Sequence, residues 1–159
     1  MPPSVERSAH FSHCGRYLYA LWRTWDARRP SMLIIGLNPS TADAIEDDPT
    51  IRRCIRFADD RGYWRLAVAN LFAYRATRPA DLRRTRHPID KANDRWLLRL
   101  AAESDICVAA WGDGGRYVGR DAQIIALLGD VKCLRVTASG APRHPLYVRA
   151  ETNLLSLPG

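Results

Sequence analysis

Met32-Leu33-Ile34-Ile35-Gly36-Leu37 is an apolar run that stops at the polar turn Asn38-Pro39-Ser40-Thr41-Ala42-Asp43. It is apolar at odd and even positions alike, as a strand must be when helices cover both faces of its sheet. Three further runs end in the same way. Leu66–Ala69 leads into Asn70, and 105–110 leads into Trp111-Gly112-Asp113-Gly114-Gly115. Cys133–Val136 leads into Thr137 and onward to Pro142-Arg143-His144-Pro145-Leu146-Tyr147. Helical patterns separate the runs, so they predict an α/β fold in which 32–37, 66–71, 106–110 and 131–136 form parallel strands. The polar residues after each run then gather beyond the carboxyl ends of the strands, where open α/β sheets bind ligands.

The connecting segments fit this plan. Asp48-Pro49-Thr50 is a helix start, with Asp48 able to cap and Pro49 suited to the first helical position. Ile51, Cys54, Ile55 and Ala58 give that helix its buried stripe. A helix over about 90–103 would turn Trp96, Leu97, Leu100 and Ala101 inward, and one over about 116–128 would use Val118, Ala122, Ile125 and Leu128. Leu18, Leu21, Trp22 and Trp25 have helical spacing and predict an N-terminal amphipathic helix over 15–26. The stretch from 72 to about 88 reads as irregular and arginine-rich, and the tail 147–157 as a short helix or strand.

With 159 residues, 47% hydrophobic and 26% charged, the chain is expected to form one globular domain over 1–159. No apolar run approaches the roughly 18 residues that span a bilayer, and the first residues lack the apolar stretch of a signal peptide. A cytoplasmic monomer without a membrane partner is expected. Cys14, Cys54, Cys107 and Cys133 stand far apart, with no Cys-x-x-Cys pair, and read as reduced thiols.

The net charge of +7 suggests a polyanionic partner. Lys91 and Lys132 are the only lysines among 24 basic residues, and arginine's planar fork suits phosphate. Arg75, Arg78, Arg83, Arg84 and Arg86 form one cluster, and Arg52, Arg53 and Arg56 another. Nucleic acid, DNA in preference to RNA, or a nucleotide is the expected partner; a solvated basic face is the alternative.

Asn38 sits where a strand, a glycine and a proline bring its amide to the mouth of the sheet, for ligand contact or for an Asx-turn. His144, between two prolines, can donate to charge developing on a leaving group, or it is a surface histidine in a rigid loop. Asn70 offers a donor and an acceptor to a nucleobase edge, or to loop backbone. Trp111 supplies a stacking face or core packing. Asp43, Glu46, Asp47 and Asp48 could hold Mg²⁺, but capping and solvation explain them, and His10-x-x-His13-Cys14 lacks a fourth ligand. No metal or cofactor is expected. The Gly-x-Ser-x-Gly elbow, P-loop, Gly-x-Gly-x-x-Gly and His-Glu-x-x-His motifs are all missing, against the common hydrolases, NTPases and dehydrogenases.

Several motifs resemble a bacterial family known only as domain of unknown function 1643. They are Ser12-x-Cys14-Gly15, Leu37-Asn38-Pro39-Ser40-Thr41-Ala42-Asp43, Asp48-Pro49-Thr50, Asn70-Leu71-Phe72-Ala73-Tyr74-Arg75, Asn93-Asp94, Trp111-Gly112 and His144-Pro145-Leu146-Tyr147. More distantly, their order is similar to the uracil-DNA glycosylase superfamily. Gly36-Leu37-Asn38-Pro39 matches the first-strand motif of its mismatch-specific branch, His144-Pro145 its later His-Pro motif, and Asn70 its base-reading asparagine.

The resemblance implies a three-layer fold with a short four-stranded parallel sheet, and hydrolysis of the N-glycosidic bond of a damaged or modified base in DNA repair. Asn38 and His144 would be catalytic. Gly36, Leu37, Pro39, Ser40, Asp43, Asn70, Trp111, Gly112 and an aromatic such as Phe57 or Tyr63 would hold the base. Arg75, Arg78, Arg83, Arg84 and Arg143 would hold nucleic acid. The chain departs from the superfamily in carrying Leu146-Tyr147 after His-Pro, Asn38 where the most active branch has aspartate, and none of the Fe–S cysteines. A non-catalytic nucleic-acid or nucleotide binding module on the same fold, or a nucleoside or nucleotide hydrolase, is the competing expectation.

Overall fold

The computed structural model describes residues 4–157 apart from 27, 29, 40, 41 and 77, and apart from the side chain of 79. Seven strands form one mixed sheet in the order β1-β2-β4-β3-β5-β6-β7. They are β1 (Glu6–Phe11), β2 (Leu18–Thr24), β3 (Ser31–Gly36), β4 (Arg65–Asn70), β5 (Ile106–Ala109), β6 (Lys132–Cys133) and β7 (Leu155–Ser156). The helices are α1 (Pro49–Asp60), α2 (Pro79–Arg84), α3 (Lys91–Glu103) and α4 (Arg120–Leu128).

β4, β3, β5 and β6 pair in parallel, but β6 spans only Lys132–Cys133 where a strand over 131–136 was expected. The sheet is nevertheless larger than expected and mixed, because β1 and β2 add antiparallel strands at one side and β7 adds one at the other. Alternate residues of the central strands face opposite ways. Leu33, Ile35, Ala67, Ala69 and Ala109 pack with Leu97 of α3 and Ile124 of α4. Met32, Ile34, Leu66 and Val108 pack with Ile51, Cys54, Ile55 and Phe57 of α1. Both faces are therefore covered, which is why these runs are continuously apolar.

The helix expected over 15–26 is instead the strand β2. Leu18, Tyr19, Ala20 and Leu21 are all buried in succession, as a strand enclosed on both faces requires, and a contiguous apolar run carries no period that separates helix from strand. Aromatic residues favour the extended form. The turn between β1 and β2 is closed by the Ser12 hydroxyl and carbonyl, which accept from the Tyr17 and Gly15 amides.

α1 begins as the sequence indicates: Asp48 Oδ1 accepts from the Ile51 amide at 2.8 Å, a cap that contributes about 1 kcal/mol. The 72–88 stretch is not wholly irregular, since it contains the short helix α2. The helix expected from 116 starts only at Arg120, after a 3-10 turn over Asp113–Gly119. Val118 is exposed there at φ +50°, and Ile124 with Arg120, rather than Val118 and Ala122, faces the core. The left-handed residues Val118 and Gly119 end one helical segment before the next begins.

Candidate functional site

The carboxyl ends of the central strands open onto a cleft of about 790 Å³. Parallel pairing sets Gly36 at the end of β3 directly opposite Asn70 at the end of β4. Glycine at 36 leaves room for the Asn70 amide: a Cβ there would lie 2.8 Å from Asn70 Oδ1. Asn70 is buried but lines the cleft. Its side-chain amide makes no hydrogen bond to another described residue, and its Oδ1 lies over Gly36.

Asn38 also lines the cleft. Its Nδ2 donates to the Ala76 carbonyl at 2.9 Å and, more weakly, to that of Pro39. This ties the β3 turn to the loop after β4, and Oδ1 accepts from no other described residue.

Behind Asn70 lies a buried polar support. Asn93 Nδ2 donates to the Asn70 carbonyl at 2.9 Å and to that of Leu71 at 3.3 Å. Arg120 Nε donates to the same Leu71 carbonyl at 2.8 Å, and its guanidinium pairs with Asp94. The Arg120 side chain is fully buried, so this pair fixes the chain just past the strand end and does not contact solvent anions.

His144 closes the cleft from the far side, within a stiff turn that ends in a 3-10 helix over Pro145–Tyr147. Its Nδ1 accepts from the Leu146 amide at 3.2 Å. Burial pushes the imidazole below its ordinary pKa, against the opposing pull of the Asp48 carboxylate. A neutral ring that accepts at Nδ1 carries its proton on Nε2, which makes Nε2–H a donor.

The other predicted residues divide into two sets. Gly36, Leu37, Pro39, Trp111, Arg75 and Arg78 line the same cleft. Trp111 is almost wholly buried, with its indole held under Gly115, where a Cβ would come within 2.2 Å of Cδ1. Gly112 does not line the cleft; it takes φ +69° and donates to the Pro142 carbonyl, joining the Trp111 loop to the His144 loop.

Asp43 also lies outside the lining, with Oδ1 accepting from the Ile45 and Glu46 amides, which hold its carboxyl below the usual range. Its loop is pinned by the fully buried Arg23, which donates to the Asp43 and Glu46 carbonyls and pairs with Asp47 at 2.7 Å. Phe57 is buried away from the cleft, between the guanidiniums of Arg53 and Arg61. Tyr63 lies outside the lining too. Arg83 and Arg84 end α2, with Arg83 over the Tyr117 ring, and Arg143 is half-buried. Ser40 lies outside the described residues.

Among the lining residues without a site role predicted from the sequence, Arg16, Thr50 and Tyr74 bring polar side chains. Arg16 follows Gly15 in the β1–β2 turn, so its role was hidden once 15–26 was read as a helix. Its backbone carbonyl accepts from the Arg75 amide, which places Arg16 and Arg75 on one lip. No aspartate or glutamate lines the cleft among the described residues, and none of the described His, Cys, Asp and Glu form a group able to hold a metal. Among the described residues, no helix is long and apolar enough to cross a membrane.

These features define an α/β protein with a cleft at the carboxyl edge of its central parallel strands. The sequence profile of DUF1643, a protein family of unknown function, matches residues 18–146, and the chain belongs to that family. No curated protein and no solved structure matches it.

Proposed function

We propose that the cleft holds a nucleobase and that the protein hydrolyses the N-glycosidic bond of a damaged or modified base in nucleic acid, as uracil-DNA glycosylases do. One observation carries the reading: the Asn38 and Asn70 amides, beside adjacent strand ends, keep hydrogen-bonding atoms unspent on any described residue, in a cleft that a neutral histidine also lines. Arg16, Arg75 and Arg78 on the lip hold phosphate, and the base leaves its stack at a cost of a few kcal/mol. Asn70 pairs with the base edge. Asn38 Oδ1 accepts from a water and aims it at the sugar C1′. As the bond breaks, His144 Nε2–H hydrogen-bonds to the departing base anion, an effect worth about 3 kcal/mol by comparison with one oxyanion donor, and the proton lost by the attacking water ends on that base, which leaves neutral.

The test is incubation with DNA and RNA pools carrying deaminated, oxidised and alkylated bases, with free bases identified by mass spectrometry. Release by the wild type, lost in Asn38→Ala and His144→Ala variants that still fold, is the expected result. Full activity in both variants would sink the assignment. The lack of a carboxylate in the described lining favours a second reading, a module that binds the base without cutting, since an amide cannot take a proton from water. Stoichiometric binding with no released base would select it.

A further inference from the structure

We propose that Asn93 is the positioning residue for Asn70: from behind the cleft it sets the direction in which the Asn70 side chain leaves the backbone. What that side chain binds rests on the nucleobase reading above. Asn93 itself stands on α3, outside the cleft lining.

The peptide that joins Asn70 to Leu71 is held at both ends. Its N–H donates to the Gly36 carbonyl at 2.9 Å, and its C=O accepts from Asn93 Nδ2 at 2.9 Å. A peptide unit is planar, so bonds at its two ends fix its orientation. With the β3–β4 ladder holding the residues before it, this sets the Asn70 Cα–Cβ bond. β2 pairs with β4 only as far as Val68; past that point the Asn70 carbonyl takes its hydrogen bond from a side chain. Asn93 reaches the Leu71 carbonyl as well, at 3.3 Å, and Arg120 Nε meets the same oxygen at 2.8 Å. Asp94 holds the Arg120 guanidinium. The neighbours Asn93 and Asp94 thus act, by two routes, on the carbonyls that follow the Asn70 side chain.

The needs of the fold alone do not account for Asn93. It is almost wholly buried, and its Oδ1 is a buried acceptor with no partner among the described residues. Such an acceptor detracts from stability, so the amide loses on one atom part of what it gains on the other. A broken local rule of this kind is expected beside a functional site. The Asn70 side chain bonds to no described residue, so its direction comes from its backbone and from the space left over Gly36.

Asn93→Leu keeps the shape of the side chain and removes both donors. Asn93→Ser, which shortens the reach to the carbonyl, is the milder change used if the first variant does not fold. The first measurement needs no ligand: three-bond couplings and NOEs of the Asn70 side chain. The wild type should show one χ1 rotamer, with NOEs to the Gly36 α-protons. The variant should average the couplings and weaken those NOEs while the Leu71 amide stays protected from exchange. A lowered thermal midpoint with the Asn70 rotamer unchanged would make Asn93 a residue of the fold only, and would overturn the proposal. The second measurement is affinity for free uracil and free adenine by calorimetry. The variant should weaken the base that binds by about tenfold, within the coupling found inside one hydrogen-bond network. It should weaken it no further once Asn70→Ala is in place. An equal loss in both backgrounds overturns the proposal and leaves the nucleobase reading standing. If neither base binds the wild type, the nucleobase reading fails, and the rotamer measurement alone decides the positioning.

Discussion

A side chain at position 36 would collide with the Asn70 amide, because the parallel register sets the two residues side by side. Gly36→Ala should therefore cost about 1–3 kcal/mol by overpacking. Removing the obstacle should recover much of that loss, so the Gly36→Ala, Asn70→Ala double variant should be more stable than the two single changes predict. Denaturant melts of the four proteins check this; strict additivity would mean that the amide does not sit over Gly36.

His144 gives a second residue-scale prediction. Its folded pKa is depressed, so between that value and the unfolded one, about 6.5, the unfolded chain binds more protons. Stability should be flat above about 6.5 and fall as pH drops from there through the folded value. Nitrogen chemical shifts of the ring should show a neutral Nε2–H tautomer at pH 7. Replacement of His144 by Gln should remove this component of the acid sensitivity. A ring already protonated at pH 7 would contradict the Leu146 amide bond.

At the scale of elements, Arg53 of α1 and Arg61, which follows its last turn, hold the chain after His144. Arg53 donates to the Val148 carbonyl at 2.6 Å. Arg61 donates to the carbonyls of Phe57, Ala150 and Thr152, and both guanidiniums stack on Phe57. The aromatic that the resemblance offered as a base-stacking residue instead anchors the chain following the histidine. Arg61→Ala should destabilise by about 1–2 kcal/mol, from one lost cation–π contact and its hydrogen bonds. Amide exchange should quicken across 148–152 and leave β3 and β4 unchanged; uniform acceleration would show that the clamp is not local.

The strand ends were legible because a doubly covered strand must be apolar throughout and then stop, which is what 32–37 and 66–69 do. The β1–β2 hairpin was not. Its second strand is as continuously apolar as a buried helix, and it contains an arginine, Arg23, whose partner Asp47 lies 24 residues away. The arginine counts hid the same kind of information. Arg120 looks like any other basic residue in the sequence, and its burial depends on Asp94 and the Leu71 carbonyl.

For the whole molecule, the net charge of +7 overstates the cation available to a partner. Arg23 and Arg120 are internal, and Arg53 and Arg61 hold the tail. Those left exposed near the cleft are Arg16, Arg75 and Arg78, with Arg83 and Arg84 on α2. If a duplex is the partner, log K should fall with log salt by about 0.9 per phosphate neutralised. Arg75→Ala and Arg78→Ala should each lower that slope by about 1. Arg52 and Arg56 lie exposed on α1, outside the cleft, so replacing them with alanine should leave the slope unchanged. Fluorescence anisotropy of a labelled duplex from 50 to 200 mM salt measures all five proteins. A wild-type slope near zero would reassign the lip to the single phosphate of a mononucleotide. A slope set by Arg52 and Arg56 would move the nucleic-acid face to α1, leaving the cleft to a small ligand.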